Sequence, residues 1–188
     1  MITRTYKTRL YFREMAQIVD SSGLSVVVLT DEQCQRALTI ICDEPMTQQL
    51  LIRMNHLPGE DKMLPEVLTT MMLAQNQGET QDYELLVYDV DDGQYKVVLT
   101  SMKSQLSIPI RISDAVLLAI FSNIPLQIDE ILFLRQCSKY VPNTSGLVIP
   151  INTIGLEQLN EELQKAIAEE NYRLASSLHE EIMKRNKK

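Results

Sequence analysis

The stretch RISDAVLLA places Arg111, Ser113 and Asp114 directly before an apolar run. A carboxylate in such a place could ligate a hard divalent cation, and a guanidinium could clamp an anionic oxygen through paired hydrogen bonds. The same residues also suit an ordinary helix start. Ser113 is a preferred N-cap, and Asp114 at the first helical position would meet the positive end of the helix dipole. Arg111 would then pair with a nearby acid. The residues alone leave both readings open.

Other groupings carry less chemistry. DVDDG (Asp89–Gly93) resembles a cation loop, but its glycine comes one place early for an EF-hand, and Thr100 stands where the closing Glu belongs. It reads as a hairpin turn. His56 and His179 are far apart in sequence, and no cysteine pair has zinc-ligand spacing. Neither a phosphate-binding glycine loop nor a nucleophile elbow is found. The nine methionines read as adaptable core filling.

The elements that must position Arg111 and Asp114 come in mixed order. SVVVLT (Ser25–Thr30) and RALTIIC (Arg36–Cys42) are rich in β-branched residues and predict a hairpin, with MAQIVD before them as a further strand. Asp43 offers an N-cap and Pro45 a first-turn proline for a helix carrying Met46, Leu50, Leu51 and Met54. A second helix is predicted from Pro65, with Val67, Leu68, Met71 and Met72 on neighbouring turns. YELLVYDVDDGQYKVVLT predicts two strands around Asp92-Gly93, a dipeptide suited to the positive φ of a tight turn. QLSIPIRI is a third strand, and Pro109 puts it at an edge. The helix from Ser113 stops before Pro125, and IDEILFLRQ forms one more short helix. Strands and helices without regular alternation predict an α+β fold.

Net charge is −7, which opposes casual binding to nucleic acid. Acids cluster from Glu79 to Asp92, whereas Arg4, Lys7, Arg9 and Arg13 precede the first acid, Glu14. Any polyanion would need a local basic face. Cys34, Cys42 and Cys137 are few and odd in number, a pattern of free thiols and a cytoplasmic, reducing setting. The N-terminal stretch lacks an apolar h-region and no run is long enough to span a bilayer, so neither a secretory leader nor a membrane partner is expected.

From Cys137 to Gly155, prolines, glycines, Asn143 and Ser145 mark a linker, although LVIP could pack back on the domain. The tail is charged and periodic. Leu156, Leu159, Leu163, Ala166 and Ile167 share one face, and Tyr172, Ala175, Leu178 and Ile182 another, which predicts a helical hairpin that docks on something.

DGQYKVVL, the strand after it, RISDAVLLA and IPLQI together resemble the bifunctional nuclease (BFN) domain family, which has segments like DGTFYA and RPSDAIALA. VVVLTDE and LTII are similar to its first hairpin, so the likeness runs from about Met15 to Arg135. It implies a nuclease for DNA or RNA, with Arg111, Ser113 and Asp114 as its catalytic candidates. Phosphodiester hydrolysis there would call on Mg²⁺ or Mn²⁺, held by Asp114 and a carboxylate the sequence does not identify, with Arg111 on a phosphate oxygen. The chain departs from the pattern at Ile112 (a proline), at Pro109 (an acid), at Met46-Thr47 (Glu-Ala) and at Pro65 (a histidine).

LNEELQKAIAEENYRLASSLHEEI resembles the UVR motif, with His179-Glu180 where that motif usually has Arg-Asp. The likeness implies a protein partner or self-association through residues 156–188. The expected organisation is a BFN-like domain over residues 1–136, a linker over 137–155 and the hairpin over 156–188. Two functions follow: a nuclease with a protein-contact tail, or a non-catalytic adaptor that keeps the BFN fold.

Overall fold

The computed structural model describes residues 6–17, 25–75, 82–91, 93–142 and 153–186. Its strands are β1 (Lys7–Gln17), β2 (Ser25–Thr30), β3 (Arg36–Cys42), β4 (Tyr83–Asp91), β5 (Gln94–Ser101), β6 (Leu106–Ile110), β7 (Leu126–Asp129) and β8 (Ser138–Lys139). Its helices are α1 (Glu44–Met54), α2 (Leu64–Gln75), α3 (Ile112–Ser122), α4 (Glu130–Gln136), α5 (Leu156–Ala168) and α6 (Tyr172–Asn186). The class is α+β, as the sequence predicts. No helix among the described residues is long and apolar enough to cross a membrane.

The strands form one eight-stranded sheet in the order β6-β5-β4-β7-β1-β2-β3-β8. The two hairpins read from sequence are both present, β2 against β3 and β4 against β5. Gly93 sits in the second turn at φ +79, where a side chain would be strained; Asp92 lies outside the described residues. β6 is the edge strand that Pro109 predicts, since proline has no N–H to give a further neighbour.

β7 was not legible as a strand. It pairs parallel with β4, so the chain between them must cross the sheet, and α3 makes that crossing while packing on β4, β5 and β7. β1 also begins earlier than MAQIVD suggests. Its first half, Lys7 to Leu10, pairs with β7, and its second half, from Tyr11, pairs with β2. A register shift between Phe12 and Glu14 follows within the half paired with β2. One strand thus joins the two halves of the sheet.

The main core lies between the sheet and the helices, with Leu10, Leu29, Leu38, Leu85 and Ile128 from the strands and Leu50, Val116 and Leu117 from the helices. All six residues of β2 are buried, so that strand is covered on both faces. Arg53 of α1 is also buried (2% exposed). Its guanidinium forks onto the Glu66 carboxylate of α2, with Nη2 to Oε2 at 2.7 Å, and stands 5.0 Å from the ring centroid of Phe121 on α3. One side chain therefore ties three helices together.

β8 pairs with β3 through Arg36↔Lys139 and Ala37↔Ser138. The stretch expected to be linker from residue 137 therefore begins inside the sheet; LVIP lies outside the described residues. α5 and α6 form the helical hairpin and bury Leu159, Ala166, Leu178 and Ile182 against one another. Leu156, Ile167 and Tyr172, placed on the apolar faces by their spacing, are instead exposed. Arg185 Nη1 donates to the Ile154 carbonyl at 2.8 Å, and both groups stand against Gly93 in the β4–β5 turn. There the hairpin meets the domain.

Candidate functional site at two helix starts

α1 starts as its sequence predicts. Asp43 is extended (φ −73, ψ 168), and its carboxylate accepts the Met46 N–H at 2.9 Å. Pro45 stands in the first turn, where a missing N–H costs nothing. α3 starts differently. Arg111 is the N-cap (φ −68, ψ 147), and its carbonyl accepts the Ala115 N–H at 3.0 Å. Ser113 is not the cap. It falls within the first turn, and Asp114 is the third helical residue rather than the first. Ile110 and Ile112 both pack on the core, which draws the helix start ahead of the serine.

Because no side chain caps α3, none takes its first backbone N–H groups. Uncapped N–H groups at the positive end of a helix dipole suit an anionic oxygen. Arg111 and Asp114 flank them as a bidentate pair, Nε to Oδ2 at 2.7 Å and Nη2 to Oδ1 at 3.1 Å. Arg111 is 81% exposed at its side chain and Asp114 38%, so solvent and ligand can reach both. The guanidinium is held further toward its charged form by the hydrogen bond to Asp114, then by the charge of Asp114 and that of Asp43.

Asp43 is therefore within electrostatic reach of Arg111. At the other ends of the same helices, Arg53 faces Phe121. α1 and α3 thus point the same way, with Asp43 and Arg111 at their starts. The sequence marked Asp43 only as a cap. Its proximity depends on the layering of the helices, for which no local pattern exists.

Among the described residues no group of three or more His, Cys, Asp or Glu could hold a metal ion. Asp43 and Asp114 are the carboxylates at hand. Two carboxylates with water and a substrate phosphate are an ordinary Mg²⁺ set, but both Asp114 oxygens are taken by Arg111. His56 and His179 lie on separate, exposed stretches outside this site. Asp89 lies within β4 beside a register shift, and its carboxylate accepts the N–H of Val90 at 2.8 Å.

A basic recess, not evident in the sequence, opens at the far end of α3. Arg9, Tyr11 and Arg13 of β1 line it with Asn123, around a volume of about 420 Å³. Arg9 stacks 5.2 Å from the Tyr11 ring centroid, and Arg13 Nε donates to Thr30 Oγ1 at 2.8 Å.

The two caps separate by mutation. Asp43→Ala should destabilise the domain by about 1 kcal/mol through loss of the α1 cap. Ser113→Ala should stay within about 0.5 kcal/mol of the parent, as substitutions away from such features do. Urea denaturation of both variants checks this, and an equal loss in each would restore Ser113 as a cap.

No curated protein matched the chain. A sequence profile of the bifunctional nuclease domain matches residues 27–139, from within β2 through β8, and includes both helix starts. The match does not reach the α5–α6 hairpin, whose likeness to the UVR motif stands on its own residues. With more than half its length matched, from the first hairpin to the last strand of the sheet, the chain belongs to the bifunctional nuclease domain family.

Proposed function

We propose that the chain hydrolyses phosphodiester bonds of RNA or DNA at the start of α3. The uncapped helix start flanked by the Arg111–Asp114 pair carries this reading. A phosphate oxygen would accept from the free N–H groups of the first turn, and Arg111 would turn from Asp114 to a second oxygen. Ser113 stands beside them as a polar neighbour. Asp114, released from Arg111, would join Asp43 in holding Mg²⁺ or Mn²⁺, which when bound supplies an activated water and a Lewis acid. The basic recess on β1 would carry a further stretch of the strand, with Tyr11 as a stacking surface. A cytoplasmic setting belongs to the same proposal, since Cys34, Cys42 and Cys137 are free thiols.

The test is cleavage of single-stranded RNA and DNA by highly purified protein with Mg²⁺, Mn²⁺ or EDTA. Metal-dependent cleavage is expected, with Asp114→Asn lowering it at least about a hundredfold in a folded protein, the scale of a lost charge-stabilising group. Arg111→Lys should also impair it, because a point charge does not replace a bidentate fork. An inactive parent, or full activity in Asp114→Asn, would overturn the proposal.

One observation favours a second reading. The hairpin leaves Leu156, Ile167, Tyr172, Leu174 and Met183 exposed on two short helices. As a UVR-type element it would contact a protein partner or a second copy of the chain, and the domain would serve as a non-catalytic adaptor. A parent that cleaves neither polymer but self-associates through residues 156–188 in sedimentation would support that reading.

A further inference from the structure

At the β8 edge of the sheet, away from both helix starts, Cys34 and Cys137 line one recess of about 610 Å³. Cys34 stands in the β2–β3 turn at φ +54, and Cys137 ends α4. Both thiols are partly exposed. Cys42 is the contrast: it is fully buried, and desolvation pushes its thiol up to about 12, which keeps it protonated and unreactive.

The recess is lined by two cations, Arg36 and Lys139, and by no carboxylate among the described residues. Arg36 and Lys139 are direct cross-strand partners of β3 and β8, and like charges so placed repel. Neither has an acidic partner among the described residues. Asp31 turns its carboxylate to the backbone N–H groups of Gln35 and Arg36, at 2.8 and 3.2 Å, and Glu14 accepts from Tyr140 at 3.3 Å. Arg36 Nη1 instead donates to Cys137 Sγ at 3.7 Å. An anion between the two cations would relieve their repulsion, and the sulfur lies beside that position.

We propose that this recess is a modification site, at which Cys137 takes a mixed disulfide with an anionic low-molecular-weight thiol whose carboxylates rest on Arg36 and Lys139. The Cys137 thiolate attacks one sulfur of a small disulfide, forming the Sγ–S bond as the S–S bond breaks. The departing thiolate takes up the proton that Cys137 had released. The disulfide is the oxidant, reduced to one free thiol as Cys137 is oxidised. The site is independent of phosphodiester chemistry.

The test compares glutathione disulfide, which is anionic, with cystamine, which is cationic, on the reduced full-length protein. Adducts are followed by intact mass and located by peptide mapping, and each rate is divided by that of a short cysteine peptide. Cys137 should be the principal adduct site, and the corrected rate should favour glutathione disulfide by about tenfold, the lower end of electrostatic rate effects. The preference should fall as salt is raised, and it should vanish in Arg36→Gln/Lys139→Gln. Equal corrected rates in the parent, an adduct mainly on Cys34, or a Cys34–Cys137 disulfide without adduct would each overturn the proposal. The salt series, run on the parent, decides the matter even where the double variant fails to fold.

Discussion

Glu66→Gln should destabilise the domain by about 3 kcal/mol, the lower end of the cost of breaking a buried ion pair. The substitution keeps the shape of the side chain and removes only its charge. What remains is the Arg53 guanidinium, 1% exposed at its side chain, with no counterion. Its Nη1 still donates to the Gln49 carbonyl at 3.1 Å, and its face still meets Phe121, but neither neutralises a full charge. The lower end applies because Glu66 itself is 19% exposed, so water screens part of the pair. Replacing both partners, as Arg53→Met/Glu66→Leu, should recover most of the loss, since an apolar pair carries no desolvated charge. Urea denaturation of the three proteins decides it. A single variant within 1 kcal/mol of the parent would show that the pair is better solvated than its burial indicates.

Leu159→Asp should unfold the α5–α6 hairpin while the sheet survives. Leu159 is fully buried in a cluster of four buried residues that is separate from the main core. An unpaired carboxylate there has no partner and costs several kcal/mol, more than so small a core can absorb. Leu163, only partly buried in the same seam, should cost less. Hydrogen exchange reads the outcome residue by residue: amides of α5 and α6 should lose protection while those of β2 and β3 keep theirs. Protection lost throughout would mean that the hairpin and the domain unfold together.

How much was legible in the sequence differs from element to element. β2 and β3 are dense in β-branched residues, Pro109 marks an edge, and Asp43-Glu-Pro announces a helix; each is a local property of its own residues. β7 is only four residues long, too short for an alternation to register, and its parallel pairing depends on how α3 crosses the sheet. Arg53 looks like any solvent-facing arginine of an amphipathic helix until α2 and α3 close over it. The start of α3 was read from Ser113 because serine is a good cap. The family pattern held the better signal, since its proline falls at position 112, where a first helical residue belongs. With Arg111 outside the helix and Asp114 in its first turn, the two are set to pair. Their companion Asp43 could be found only from the layering of α1 and α3.

The change of partner along β1 has a consequence for a chain still being made. As synthesis proceeds, β1 can meet β2 and β3 early, but Lys7 to Leu10 find β7 only after Asp129 has emerged. At about 5–20 residues per second that wait is roughly ten seconds. Through it, a half-paired strand carrying Leu10 and Phe12 offers its open edge to any other nascent chain. Lys7 and Arg9 stand along that edge, and charged residues, lysine above all, are what natural sheets place there to keep strangers from pairing. The basic residues of β1 would then guard the strand before its own partner arrives.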